Sequence, residues 1–260
     1  MPLFHRYIGI DYSGAETAES SLPGLRVYVA TASDPPREEF PPPSPRKYWT
    51  RRGLAKWLCS NLSGATPAIV GIDHAFSFPI AYFQKYGLPW DWPAFLDDFQ
   101  SHWPTDEPAT YIDFIRDGRR GTGNPRTGKP DWFRLTERWT TSAKSVFHFD
   151  IQGSVAKSTH AGICWLRYLR NESPCKLHFW PFDGWSIPRG SSGVTEVYPS
   201  LWTKRFPRGD RNPDQHAAYA VSAWLRRADQ NGSLPAFLNP PLEPDESRIA
   251  AIEGWILGVV

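Results

Sequence analysis

The chain has 260 residues, 22% of them charged, and a formal net charge of +2 at pH 7. That length gives ample material for a core and excludes a small scaffold that needs staples. A balance so near zero, with a pI of about 8.4, neither demands nor forbids a nucleic-acid partner.

The 13 Trp and the 15% aromatic share point to a stably folded globular protein. Cys59, Cys164 and Cys175 are odd in number and form no C-x-x-C. That pattern argues against a disulfide framework or zinc site and favours a reducing compartment. No charged-then-apolar leader opens the sequence, and no apolar run reaches membrane-spanning length. The expectation is a soluble, cytoplasmic protein with no membrane partner.

In chain order, residues 4–11 read as a first strand that stops at an acid, Asp11, followed by small and polar residues including Ser13 and Gly14. Residues 25–32 read as a second strand. The proline-rich tract 33–46 is expected to be a surface loop, because proline removes donors and fixes φ. A short strand is expected near Lys47–Thr50. Residues 51–62 read as a helix, with Leu54, Trp57, Leu58 and Leu62 at helical spacing. Residues 69–73 then form a nearly all-apolar strand, as a strand covered on both faces would be, and it ends at Asp73.

Residues 79–157 carry many Trp, Pro and Gly and little periodicity, so an irregular insertion or subdomain is expected inside a single domain of 1–260. Its basic, glycine-rich segment 115–130 is either a solvated surface loop or a phosphate-contacting loop in which Arg119 and Arg120 act as bidentate partners. It does not match the G-x-x-x-x-G-K-[ST] nucleotide loop. Beyond it come a helix at 158–170, strands at 176–182 and 194–201, a helix at 212–229 and a last helix at 245–253. The 212–229 helix has Asn212 as N-cap and Pro213 at its first position. Its expected apolar stripe runs Ala217, Val221, Trp224, Leu225, Ala228. Strands first, then strands alternating with helices, indicate an α/β or α+β sheet domain.

Alternation along a strand puts Gly9 and Asp11 on one face and Gly71 and Asp73 on one face. If the two strands are neighbours, both carboxylates project at one sheet edge, where ligands of open α/β sheets collect. Close like charges resist shared ionisation unless a cation compensates them, and Mg²⁺ typically takes one or two carboxylates plus substrate phosphates. Glu196, flanked by apolar residues, and Asp214, in the first turn of the 212 helix above its stripe, are further candidates. Each acid also has an ordinary structural reading: a turn or helix cap for Asp11 and Asp73, a macrodipole partner for Asp214, a half-exposed strand residue for Glu196.

The blocks GIDYSGA, VGIDHAFSFP, GSVAKSTHAGICWLRYLR, FWPFDGW, TEVYPSLW, DQHAAYAVSAWL and EGWILGV, in that order from residue 9 to 259, resemble those of the family known as domain of unknown function 429. Its members are regarded as nucleases of the ribonuclease-H fold. The resemblance implies a ribonuclease-H-like mixed sheet, antiparallel through its first three strands and then alternating with helices, interrupted by the insertion. It implies metal-binding, catalytic roles for Asp11, Asp73 and Asp214, with Glu196 as an added candidate, and Mg²⁺ or Mn²⁺ as cofactor. The family usually reads D-Q-H-D-A-Y in the late helix, where this chain has Ala217. Either Glu196 substitutes for the missing acid, or the protein is a weak or inactive relative, or an Asp→Ala change has been introduced.

The leading expectation is therefore a divalent-metal nuclease whose ions, about 4 Å apart, bridge Asp11 and a scissile phosphate. Ser13, Lys144, Arg119, Arg120 and His216 are the candidates for contact with the nucleic-acid substrate. Two alternatives stand beside it: an ATP-dependent phosphotransferase of actin-like fold, and a non-catalytic nucleic-acid-binding or regulatory protein on the same scaffold. Serine-hydrolase and zinc-protease readings lack their G-x-S-x-G and H-E-x-x-H motifs.

Overall fold

The computed structural model describes residues 2–43, 46–62, 64, 66–140, 142–151 and 153–260. The opening apolar run forms β1 (Arg6–Asp11), which pairs antiparallel with β2 (Arg26–Thr31), Asp11 standing opposite Arg26. On its other side β1 pairs parallel with β4 (Ala68–Ile72). Two further strands, β5 (His178–Trp180) and β6 (Gly193–Glu196), extend the parallel half. With a two-residue β3 (Arg37–Glu38) at one edge, the six-stranded mixed sheet runs β3-β2-β1-β4-β6-β5.

The third strand is not where the sequence puts it. Residues 47–50 form no strand, and β3 (Arg37–Glu38) lies inside the proline-rich tract, antiparallel to β2. An edge strand needs ladder bonds on one side only, so two residues between prolines suffice for Tyr28↔Glu38 and Val29↔Arg37. Ser44 and Pro45 of that tract lie outside the described residues.

The helix α1 (Arg51–Leu62) occupies its expected span. The expected irregular insertion is instead built from short helices: α2 (Ile80–Tyr86), α3 (Trp92–His102), α4 (Ile112–Arg116) and α5 (Leu135–Trp139). Their brevity hides their periodicity, although α3 carries a readable start. Asp91 caps it, accepting from Ala94 N at 2.8 Å, and Pro93 sits within its first turn. Next, α6 (Ala156–Glu172) runs two residues past its expected span at each end. The late helix α7 (Pro213–Gln230) begins as the sequence indicates. Asn212 accepts from Gln215 N at 2.8 Å, and the Gln215 side chain returns to Asn212 N at 3.0 Å, a reciprocal capping box. Finally come α8 (Leu234–Leu238) and α9 (Pro244–Glu253). Among the described residues no helix is long and apolar enough to cross a membrane.

Strand alternation sorts the core into two layers. Ile8, Ile10, Val27, Val70 and Ile72 face a cluster shared with α1, α3 and α6. Tyr7, Ala30 and Ile69 face the opposite way, into a cluster with Val221, Trp224 and Leu225 of α7. Gly9 belongs to this second face. A Cβ there would collide with the Ala218 carbonyl oxygen and lie 2.6 Å from Ser222 N, so helix backbone rests directly on strand backbone. Ser222 Oγ donates to Tyr7 O at 2.8 Å across the same contact. The helix face meeting the sheet is therefore Asp214, Ala218, Val221, Ser222 and Leu225, spaced i, i+4, i+7, i+8, i+11. Ala217, expected in the stripe, is half-buried beside it. Gly9→Ala should destabilise the protein by about 2–4 kcal/mol, as an overpacked site facing backbone rather than a yielding side chain. Urea unfolding checks this.

Candidate active site

The strands β1 and β4 run parallel in a register that pairs Ile10 with Ile72, so Asp11 and the following Asp73 emerge next to each other at one edge of the sheet. Asp73 N donates to Ile10 O at 3.0 Å, holding the second acid against the end of the first strand. Each carboxyl group shifts the other's titration. Burial among protein atoms holds the Asp11 carboxyl well above its usual range; the charges of Asp73 and then Asp214 reinforce this, and Arg26 opposes it. Asp73 is raised to about 7, by burial first, with the charge of Glu196 adding and the hydrogen bond to Asp11 opposing. Both residues keep partial solvent exposure. Among the described residues no backbone N–H donates to the carboxyl groups of Asp11, Asp73 or Asp214, and Asp73 Oδ1 is buried without a hydrogen-bond partner. Neither strand-end aspartate is acting as a cap.

The helix α7 brings in Asp214, one turn above the Ala218 contact. A Cβ on Gly24 would lie 3.5 Å from Asp214 Oδ2 and 3.7 Å from Ser13 Oγ, which places both groups on the same wall of an open groove of about 330 Å³. Burial raises the Asp214 carboxyl, and Arg26 opposes that shift. The opposite wall is the first turn of α6, with Lys157 and Ser158. Gly14 lets the walls meet, since a Cβ there would collide with the Lys157 backbone. Lys157 Nζ donates to Asp113 Oδ2 at 3.0 Å. The groove thus sets carboxyl groups against an ammonium group across a floor made by the Ser13-Gly14 turn.

The other candidates are placed differently. Glu196 pairs in register with Ile72, one position before Asp73. Both of its oxygens are held by Arg134, Nη1 to Oε2 at 2.7 Å and Nη2 to Oε1 at 2.5 Å, and Phe76 N donates to Oε2 at 3.3 Å. Glu196 is thus engaged as a buried ion-pair partner; it lines a small cavity with Asp73, and its charge helps to raise the Asp73 carboxyl. Lys144 lines a water-sized cavity of about 20 Å³ with Asp73, Arg134 and Glu196. Arg119 is exposed, paired with Asp117 at 2.9 Å and laid over the Phe114 ring. Arg120 is exposed beside it. His216 is buried, its Nε2 at 3.0 Å from Thr203 O. Of the nine residues singled out, Asp11, Ser13, Asp73 and Asp214 converge. Sequence reasoning missed Lys157, although it stands in the quoted GSVAKSTHAG block, and Arg26, whose place opposite Asp11 depends on strand register.

Among the described residues no group of three or more His, Cys, Asp or Glu side chains is arranged to hold a metal ion. Comparison with known proteins returned no match: no protein-family model, no curated protein and no solved structure matches the chain.

Raised carboxyls bind protons in the folded state that the unfolded chain has already released. The cation-free protein should therefore lose stability as pH rises from near 3.8 through about 7. Asp73→Asn should flatten that slope, with a higher urea midpoint than the parent at about pH 8 and little difference at about pH 5. Arg134→Met should destabilise by about 3–5 kcal/mol, because it leaves Glu137 and Glu196 buried without their cation; urea unfolding measures this as well.

Proposed function

We propose that the protein is a divalent-metal-dependent phosphodiesterase acting on nucleic acid, built on a ribonuclease-H-like sheet and related to the domain of unknown function 429 family. The observation that carries this reading is the meeting of Asp11 and Asp73 at the end of adjacent parallel strands, with a buried carboxyl oxygen that has no partner. Two antiparallel pairings followed by α1 and the parallel strand β4 support the fold assignment.

The donor set fits a hard cation of the Mg²⁺ or Mn²⁺ kind. Such ions commonly accept one or two protein carboxylates and complete their shell with water and substrate phosphate, so two adjoining acids suffice without a third protein ligand. Asp11 and Asp73 would hold the ion, and Asp214 faces the same groove. When bound, the ion supplies charge stabilisation at phosphate oxygen and a lowered pKa for its water.

The chain's own groups do the rest. Asp11 and Asp73, both held above their usual range, must be deprotonated to bind a cation, so loading favours rising pH through about 7. Lys157, on the facing wall, meets phosphate charge. Ser13 Oγ accepts from Ala15 N at 3.3 Å and lines the groove.

Labelled single- and double-stranded DNA and RNA, incubated with chelator, Mg²⁺ or Mn²⁺, test the proposal. Cleavage is expected only with a cation, should rise with pH through about 7, and should fall at least about 100-fold in Asp11→Asn. Absence of cation-dependent cleavage both in the parent and in Ala217→Asp would rule the activity out. Ala217 itself favours a second reading, a nucleic-acid binder without turnover. Binding at low salt that persists while Ala217→Asp still cleaves nothing identifies that case.

A further inference from the structure

The positive charge of the chain is concentrated in one segment. Residues 203–230 hold six Lys or Arg and three acids, a net +3, where all 260 residues together carry +2. Two of those acids do not offset it at the surface: Asp229 is buried, and Asp214 lines the acidic groove. Asp210 is the one exposed acid of the segment.

These cations differ from those of the insertion, where Arg116, Arg119 and Arg126 are each paired with a carboxylate. Among the described residues, Lys204, Arg205, Arg208, Arg211 and Arg227 form no ion pair with an acid. Arg208 and Arg211 each use one N–H to shape the loop: Arg208 Nε donates to Arg211 O at 2.7 Å, and Arg211 Nη2 to Pro207 O at 2.8 Å. The Arg211 guanidinium also lies 3.6 Å from the centre of the Tyr219 ring. A guanidinium fixed in this way keeps further donors and loses little freedom on meeting a phosphate. Arg205 and Arg227, both exposed, line one open pocket of about 340 Å³ with Asn231 and Ser233. An arginine in the last turn of α7 suits the helix macrodipole, but that reading accounts for a single charge.

The patch adjoins the acidic edge. Arg211 stands three residues before Asp214, a length of chain that spans at most about 11 Å. Thr203 O, 3.0 Å from His216 Nε2, fastens the start of the segment to α7. Arg227 lies near the far end of the same helix, about 20 Å from Asp214 along its axis. A stacked strand covers that distance in about six nucleotides. One phosphate meets one point of such a patch, whereas a chain of phosphates meets cations at both ends. Clustered Lys and Arg with few acids among them are the footprint of a polyanion.

We infer that the exposed side of α7, with the segment 203–211 packed against it, carries the sugar-phosphate backbone of the nucleic acid as it leaves the Asp11–Asp73 edge past Asp214. The inference rests on the phosphodiesterase reading for the position of the cleaved bond, and it deepens that reading by assigning the surface that holds the strand.

Salt-dependent binding tests it. A dye-labelled single-stranded oligonucleotide long enough to cover the patch is titrated in chelator at a series of salt concentrations. The parent should bind, with log affinity falling linearly against log salt. Lys204→Gln/Arg205→Gln/Arg227→Gln should flatten that slope by about 2, since each phosphate contact contributes about 0.7 on a single strand. All three side chains are exposed, and an unchanged urea midpoint confirms that the variant folds. Arg205→Lys/Arg227→Lys should keep the parent slope, because the slope counts charge. Arg119→Gln should keep it too, because Asp117 already offsets that charge. No binding by the parent, an unchanged slope in the triple variant, or an equal loss per charge in Arg119→Gln would each overturn the inference. Vesicles rich in phosphatidylserine are titrated in parallel: a patch that binds them and not the strand is a membrane surface and overturns it as well. Mn²⁺-dependent cleavage measured alongside separates the two readings. Cleavage with a slope that the triple variant leaves unchanged overturns the surface and leaves the phosphodiesterase standing. A flattened slope without cleavage by the parent or by Ala217→Asp supports the surface and overturns the activity.

Discussion

At Gly9 the backbone of α7 lies against the backbone of β1, with no room for even a methyl group between them. The contact is tight because Gly9 withdraws its side chain and Ala218 and Ser222 present little of theirs. Gly71 is the neighbouring position in β4, where a Cβ would press on Val197 and Val221. Helix and sheet can then pack as close-fitting solids. The same closeness lowers Asp214 into the groove and leaves Asp11 and Asp73 at the strand ends, just beyond the helix.

Several carboxylates elsewhere in the protein are fully occupied, although Asp106 Oδ1, like Asp73 Oδ1, is buried without a hydrogen-bond partner. Asp229 accepts from Leu3 N, Phe4 N and the Tyr7 hydroxyl, tying the start of the chain to α7. Glu253 accepts from Ile80 N and Leu135 N, fastening two points of the insertion to α9. Glu196 and Glu137 share Arg134. Asp11, Asp73 and Asp214 differ from these: among the described residues none accepts from a backbone donor, and the charge of Asp73 helps to hold the Asp11 carboxyl above its usual range. Crowding of like charges in this way is characteristic of sites that bind a cation or move a proton.

The insertion gives that edge its surroundings. It supplies Tyr111 and Asp113 to the groove, Arg134 to the ion pair beneath Asp73, and aromatic rings to a neighbouring cavity. Its basic segment is not a free cationic loop. Arg119 is paired with Asp117, Arg116 with Asp150, and Arg126 with Asp98 while lying over the Tyr86 ring. Positive charge held between acids and aromatic faces is directional rather than diffuse.

Period-2 and period-3.6 patterns determined β1, β2, α1, β4, α6 and α7 from the sequence, and the N-cap of α7 followed from local capping chemistry. Asp11, Asp73 and Asp214 were legible because each ends or tops an apolar run. The two-residue β3 and the short insertion helices were not legible, since so few residues cannot display a period and edge pairing depends on a distant partner. Glu196 was legible as a candidate acid, but its engagement through both oxygens with an arginine 62 positions away in the sequence was not. Local propensity and alternation belong to the sequence by itself. Which carboxylates meet a cation and which meet one another is decided only when strands pair and layers close, because charge acts across space and register is a tertiary property.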